Sequence, residues 1–529
     1  MSMNMKYQRK QFSKPQSLEL ICRHRANSLS SPSSAGSSGR RDCALRQGVL
    51  FLCLQTAIIF ALPALSTEFK LSPLVEISRP NPLAACDDGF HPPGTGTIET
   101  AAETTVAVNP IDPRNIVGVS IGGFAQSIGV KVSFDGGRKW QRLPIPGITV
   151  CSGGPFLAAS DPWISFAPNG DLYSICHPFD VALYTEGRTG IALNKSSDGG
   201  LHWSAPVFLA DSQSTKFAVD KPSITADPRD SRFVYAVFQQ DNGGNRCRTL
   251  FSCTTDGGAT WEQPRVIYDP GTQNREINAN QILVLPDGTL VNAFNENKFS
   301  SAGARQDGLF SAMRSTDRGL TWSAPARIAS VAPFFVTDPE TGHLVSNSGY
   351  WNALFATAVD SRGKLYSVWE DLRFTGGQYS RIAFAMSADG GTTWSTPIAI
   401  NQTPTNIPTA NQQAFLPTIA VAADGTIGVT YYDFRNNTPE PGVPTDFWLI
   451  HCHPSASVAP TDPANWHSEV RLTERSFDLE ATFEFSPDVV LYWLGDYTGL
   501  ATAGNDFVTT FTMPDSENQT STFFRRVGP

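Results

Sequence analysis

Charged side chains are scarce: Asp, Glu, Lys and Arg make up 17% of 529 residues, against roughly 25% in an average soluble chain. Aromatic residues, at 11%, are plentiful. A chain so poor in charge and so rich in Phe and Trp is not disordered over most of its length. Basic charge is scarcest in the part expected to fold. Nine Lys and Arg fall within residues 1–66, which leaves 31 basic against 47 acidic residues in 67–529, a net of −16. That balance excludes nucleic acid as a partner, because phosphate binding needs a basic face. No CxxC pair and no Cys/His spacing of a zinc site occurs, so no metal is expected and nothing calls for a cofactor.

The leader carries one long apolar stretch, Val49 to Leu65, broken by Gln55 and Pro63 and followed by small residues. A basic segment, an apolar stretch and a small-residue exit make a secretory signal with cleavage after Ser66. The alternative is a type II membrane anchor, since 17 residues lies at the lower edge of a span. Either way 67–529 is expected outside the cell. Beyond the leader the cysteines are Cys86, Cys151, Cys176, Cys247, Cys253 and Cys452, an even six that suits an oxidising compartment and admits 15 pairings. Glycosylation sequons stand at Asn194, Asn401, Asn436 and Asn518.

Gly and Pro, 81 residues together, are spread between short apolar runs, as in many strands joined by turns. The expected class is all-β. A repeat organises it. Ser/Thr-x-Asp-x-Gly-x-x-Trp occurs five times, with its aspartates at Asp135, Asp198, Asp256, Asp317 and Asp389. Asp and Ser/Thr hydrogen-bond the backbone of a hairpin turn, Gly supplies positive φ, and Trp buries a large ring. These aspartates are therefore structural. Two apolar runs precede each box and one short strand follows it, giving a unit of four antiparallel strands, A to D, which is one propeller blade. The Trp residues at 140, 203, 261, 322 and 394 step by 58 to 72 residues, and a further step of 72 lands on Trp466 in a sixth unit whose box has decayed. A seventh unit lacks strand D, and the spare segment Phe69 to Ile77 can supply it and close the ring. Residues 67–529 thus read as one β-propeller domain of seven blades, with six as the alternative, and a monomer is expected.

With these boxes the chain resembles the BNR/Asp-box repeat proteins of the sialidase (neuraminidase) superfamily over about residues 100 to 510. The resemblance implies a six- or seven-part propeller whose active face, opposite the boxes, is built by the loops from D to the next A and from B to C. Those strand ends carry Glu103, Asp161, Asp220-Lys221, Arg275-Glu276, Tyr350-Trp351 and Asp496-Tyr497 on entering A, and His177, Glu296, Glu370-Asp371 with Arg373, and Tyr432-Asp433 with Arg435 on leaving B. A sialidase of this type uses three arginines around a substrate carboxylate, a Tyr/Glu nucleophile pair and an Asp acid/base. In matching order the sequence offers Asp161 as acid/base, Glu296 with Tyr497 as the nucleophile pair, and Arg373 and Arg435 as carboxylate ligands. The Phe/Tyr-Arg-Ile-Pro segment that carries the first arginine is absent, and Arg275 is the only stand-in.

Each of these residues also has a plainer reading. Asp371 with Arg373 and Asp433 with Arg435 have the spacing of a loop clamp. Asp161 before Pro162 starts turns, and a Tyr opening a strand packs with its hydroxyl at the rim. Two functions follow. The first is a secreted glycoside hydrolase of exo-α-sialidase type, or a relative that cuts another sugar with two carboxylates. The second is a non-catalytic propeller that binds a glycan or a protein on the same face, with rings such as Trp351 and Tyr432 as stacking platforms.

Overall fold

The computed structural model describes residues 69–87, 99–123, 125–180, 187–212, 217–241, 246–271, 274–300, 305–332, 334–346, 354–486 and 489–529; the leader, Tyr350 and Trp351 lie outside them. Seven antiparallel sheets follow one another along the chain. Blade 1 consists of Ala101–Val108, Ile116–Gly122, Ser127–Ser133 and Gln141–Pro144 as strands A to D. The A strands of blades 2 to 7 are Ala158–Phe166, Val219–Ala226, Arg275–Val284, Phe355–Val359, Ala414–Val421 and Gly499–Ala503. Each A strand touches the A strands of both neighbouring blades, so together they form the inner ring of a seven-bladed propeller.

Burial falls off from that ring outward. Strand B is buried along its whole length in blades 1, 5 and 6, whereas the D strand of blade 1 is half-exposed. Sheets covered on both faces need continuous apolar runs such as Ile116-Val-Gly-Val-Ser-Ile, and they leave little surface for charge. Blade 7 has Gly499–Ala503, Asp506–Pro514 and Thr520–Gly528 as A to C. Its outer strand comes from the start of the domain: Lys70 pairs with Gly528 and Val75 with Phe524, both antiparallel. The ring therefore closes between the two ends of the chain, and no open edge is left there.

The five boxes turn between strands C and D as their chemistry requires. In the first, Gly137 N and Asp135 Oδ1 bond through Ser133 Oγ, each at 2.9 Å, and Asp135 Oδ1 accepts from the amides of Arg138 and Lys139, also at 2.9 Å. Gly137 has φ +94°, and a Cβ there would meet the Phe524 ring at 2.1 Å. Only glycine fits, because Phe524 of the preceding blade packs there against Trp140, its ring tilted 59° with centroids 4.9 Å apart. In the sixth unit Trp466 is fully buried without a box, donating its indole N–H to Pro460 O at 2.8 Å.

Two features lie outside the repeat. A small sheet forms from Leu344–Val345, Phe483–Ser486 and Val489–Trp493, within the connections after blades 4 and 6. Among the described residues one disulfide, Cys86–Cys151, ties the opening segment to the loop between blades 1 and 2, and Cys176, Cys247, Cys253 and Cys452 are buried free thiols.

Candidate functional site

Strand A breaks its pairing register at the same place in five blades, between Ala102 and Thr105, Ser160 and Trp163, Asp220 and Ser223, Asn278 and Gln281, and Phe415 and Thr418. At each break a non-glycine residue takes a left-handed conformation: Glu103, Asp161, Lys221, Ala279 and Leu416 have φ of 53°, 53°, 47°, 51° and 50°. These are β-bulges, which re-aim a side chain, and strain of this kind collects at functional sites. Three of the five are followed by Pro162, Pro222 and Pro417, which have no N–H to withhold from the ladder. The bulges of blades 1, 2 and 3 thus deliver an acid, an acid and a base to the axis, while those of blades 4 and 6 deliver Ala279 and Leu416.

The polar side is an ion cluster in a dry setting. The Lys221 ammonium donates to Asp161 Oδ1 at 2.5 Å and to Asp496 of blade 7, and lies 3.9 Å from Glu103 Oε1. Glu103 Oε2 accepts from the Asp161 amide at 3.0 Å, and Asp161 Oδ2 accepts from Ser160 Oγ at 2.6 Å. His177 Nδ1 lies 3.2 Å from Asp220 Oδ1 and 3.9 Å from Asp161 Oδ2. One ammonium cannot hold three buried carboxylates ionised. Burial, with Asp161 and Asp496 beside it, pushes Glu103 well above the usual carboxylate range, which favours its neutral form. Burial acts in the same direction on Asp161, but Lys221 and His177 overcome it and hold that acid below its usual value. Lys221 loses by burial and gains more from Asp161, Asp496 and Glu103, so its pKa stands well above that of an ordinary lysine.

Carboxylate oxygens of Glu103, Asp161 and Asp496 lie within 4.8 Å of one another, as do the ligating atoms of Asp161, His177 and Asp220. In the first group the place a cation would take is filled by the Lys221 ammonium. The cluster forms one wall of an axial cavity. Asp496 Oδ1, Tyr497 Oη, Thr498 Oγ1 and Asn280 Nδ2, all on lining residues, are buried without a hydrogen-bond partner among the described residues. A buried polar atom left unpaired costs about 1–3 kcal/mol, so four at one cavity mark a place built to receive polar groups. Trp163 meets Tyr497 edge-on at 5.7 Å.

Blades 4 to 6 contribute the apolar side chains of Ala279, Leu354, Phe355, Ala356, Leu416 and Pro417, interspersed with Asn280, Gln281, Thr418 and Glu370. Glu370, on strand B of blade 5 (Leu365–Asp371), is 6% exposed and accepts the Leu416 amide at 2.6 Å through Oε1. Burial pushes it up to about 8. A Glu370 raised by burial and an Asp161 held low by Lys221 and His177 therefore line one cavity.

Of the residues read from sequence, Asp161 and Tyr497 meet here. Glu296 lies elsewhere on blade 4, bonded by Arg275 and by Tyr268 OH at 2.6 Å. Arg373 donates to Asp371 Oδ2 at 2.7 Å and to Ser330 O at 2.5 Å, and Asp371 also accepts from the Trp369 indole at 2.7 Å. Arg435 is held by Asp433 at 2.7 Å and Glu469 at 2.5 Å, and stacks over the Trp448 ring at 3.8 Å. Both arginines are engaged as loop clamps. Tyr432 is fully buried, with its hydroxyl bonded to Thr512 O at 2.8 Å, so it offers no stacking platform. Tyr350 and Trp351 lie outside the described residues. Glu103, Lys221, Glu370 and Asp496 stood among the polar strand ends without a role. The signal that could have raised them is the recurrence of Asp161-Pro162, Lys221-Pro222 and Leu416-Pro417 at one position of strand A.

No family model matches the chain. Solved structures similar to it include a Hadza microbial sialidase (14% identity, 77% of this chain and 72% of that one, TM-score 0.43). Others are the α-L-arabinofuranosidase of Fusarium graminearum in complex with an iminosugar inhibitor (12%, 87% and 98%, TM-score 0.45) and a NanB sialidase variant of Streptococcus pneumoniae (12%, 78% and 83%, TM-score 0.42). At such low identity and TM-score, function has to be read from the cavity itself.

Proposed function

We propose that the protein is a secreted glycoside hydrolase whose active site is the axial cavity, acting on a neutral sugar. The reading is carried by the two carboxylate environments of that cavity. Glycosidic cleavage needs a protonated acid to meet the leaving oxygen and an ionised carboxylate to attack, or to activate water, at the anomeric centre. Glu370 has the environment of the acid. Asp496, bonded to Lys221 through Oδ2 and with its buried Oδ1 unpartnered among the described residues, is the candidate carboxylate.

Tyr497 has a different part. Burial, together with Asp161, Glu103 and Asp496, pushes its phenol well above the usual range, so it stays a hydroxyl and donates to a sugar oxygen. Sialidase-type specificity, the finer expectation from sequence, has less support. Among the described residues the only cation lining the cavity is Lys221, already bonded to two carboxylates, so an anionic sugar would meet negative charge there. The basic leader with its apolar stretch supports export, and so does the disulfide, since such bonds persist in oxidising compartments.

The test is a panel of aryl glycosides of neutral pyranoses and furanoses beside 4-methylumbelliferyl sialoside. Turnover of a neutral glycoside and none of the sialoside is expected. Measurable sugar binding without turnover of any glycoside would instead make the protein a lectin.

A further inference from the structure

The acid and the carboxylate stand on walls of opposite character. Glu370 rises among apolar side chains, its Oε1 on the Leu416 amide, with Leu354 and Phe355 lining the same wall. Three of the unpaired polar atoms, Asp496 Oδ1, Tyr497 Oη and Thr498 Oγ1, lie on the segment that leads into strand A of blade 7, and the fourth, Asn280 Nδ2, belongs to strand A of blade 4. In hydrolysis the bond between the anomeric carbon and the leaving oxygen breaks and that oxygen takes the proton of the acid. Water then adds hydroxide to the anomeric carbon, and its remaining proton returns to the acid. The leaving group must therefore lie on the side of Glu370, and the sugar ring on the side of blade 7.

We propose that the substrate is a glycoside of an apolar alcohol, its aglycone held against Leu354, Phe355 and Leu416, in preference to an oligosaccharide whose leaving group is a second sugar. The proposal rests on the glycosidase reading of this cavity. A sugar in the leaving position would press its hydroxyls against Leu354, Phe355 and Leu416, which offer no partners, whereas an alkyl or aryl group buries apolar surface there.

The sugar is fixed as whichever one the aryl-glycoside panel shows to be cut. Its hexyl glycoside is then compared with a disaccharide of the same sugar and linkage; hexanol is no better a leaving group than a sugar hydroxyl. We expect kcat/KM at least about 100-fold higher for the hexyl glycoside, the scale set by a few unpaired hydroxyls. In Leu354→Asn the ratio of the two values should fall at least about tenfold. Equal or faster cleavage of the disaccharide by the unaltered protein overturns the proposal whether or not the variant folds. If no glycoside is cut, the hydrolase reading has failed, and calorimetry on hexyl and methyl glucoside decides the remainder. Tighter binding of the hexyl compound, weakened in Leu354→Asn, keeps the apolar subsite, and equal binding of the two removes it.

Discussion

Lys221 on blade 3 bonds Asp161 on blade 2 at 2.5 Å and Asp496 on blade 7 with the same ammonium, so one buried cation joins three blades at the axis. Removing it leaves two carboxylates without their counter-charge. Lys221→Met should destabilise the protein by about 3–5 kcal/mol, the cost of stranding a buried charge, read from urea unfolding. A loss below 1 kcal/mol would mean the acids take up protons at little cost.

Glu370 must carry its proton to act as an acid, and its pKa is about 8. Activity on a neutral aryl glycoside should therefore hold through neutral pH and fall as pH rises past about 8. Glu370→Gln should lower kcat by about 10²–10⁴ and remove that alkaline limb. A variant with unchanged kcat, or one that keeps the limb, would take the acid role away from Glu370.

Ring closure should depend on pH through a second residue. The Phe69 ring at the start of the closing strand stacks on His451 with centroids 3.9 Å apart and planes 3° from parallel. Burial, with His453 and His467 beside it, lowers His451 to about 4 from its ordinary 6.5. Because the folded state prefers the neutral ring, this contribution is fully present above pH 6.5. It declines as pH falls below that value and is gone under pH 4. The span corresponds to about 3 kcal/mol. Urea midpoints at pH 7.5 and 4.5 should differ for the parent protein and much less for His451→Phe, which keeps a ring against Phe69.

Modification should follow burial rather than motif. Asn194 and Asn401 are each 1% exposed, and Asn401 Oδ1 accepts from Arg381 Nε at 2.9 Å and from the Ile382 amide at 3.0 Å. Asn436 and Asn518 are exposed. Passed through a glycosylating secretory pathway, the protein should carry glycans on the latter two alone, as peptide mass mapping would establish. A glycan on Asn401 would contradict the packing between strands C and D of blade 5.

The blades were legible because the boxes state their own geometry: Ser133, Asp135, Gly137 and Trp140 act within one turn, and local chemistry survives translation from sequence. Closure was legible for a related reason, since the last unit lacked a strand and Phe69 to Ile77 was spare. The arginines show where that reasoning stops. Chain order aligned Arg373 and Arg435 with a ligand-binding role, while the Asp-x-Arg spacing, which is local, described their bonds. The axial cluster was illegible for the opposite reason. The aim of Glu103, Asp161 and Lys221 depends on register breaks, and the neutrality of Glu370 depends on burial beneath other blades; neither is written in any one segment. The sheet built from Leu344–Val345 and Val489–Trp493 joins segments far apart in the chain, and no short-range pattern announces it.

Pairing Lys70 with Gly528 and Val75 with Phe524 sets the first and last residues of the domain side by side at one end of an antiparallel ladder. Force applied to the two ends therefore meets the hydrogen bonds one pair at a time, as in a zipper, rather than all at once in shear. The propeller is mechanically soft where its ends meet, and the Cys86–Cys151 bridge is the stop that keeps peeling of the opening segment from running on into blade 1.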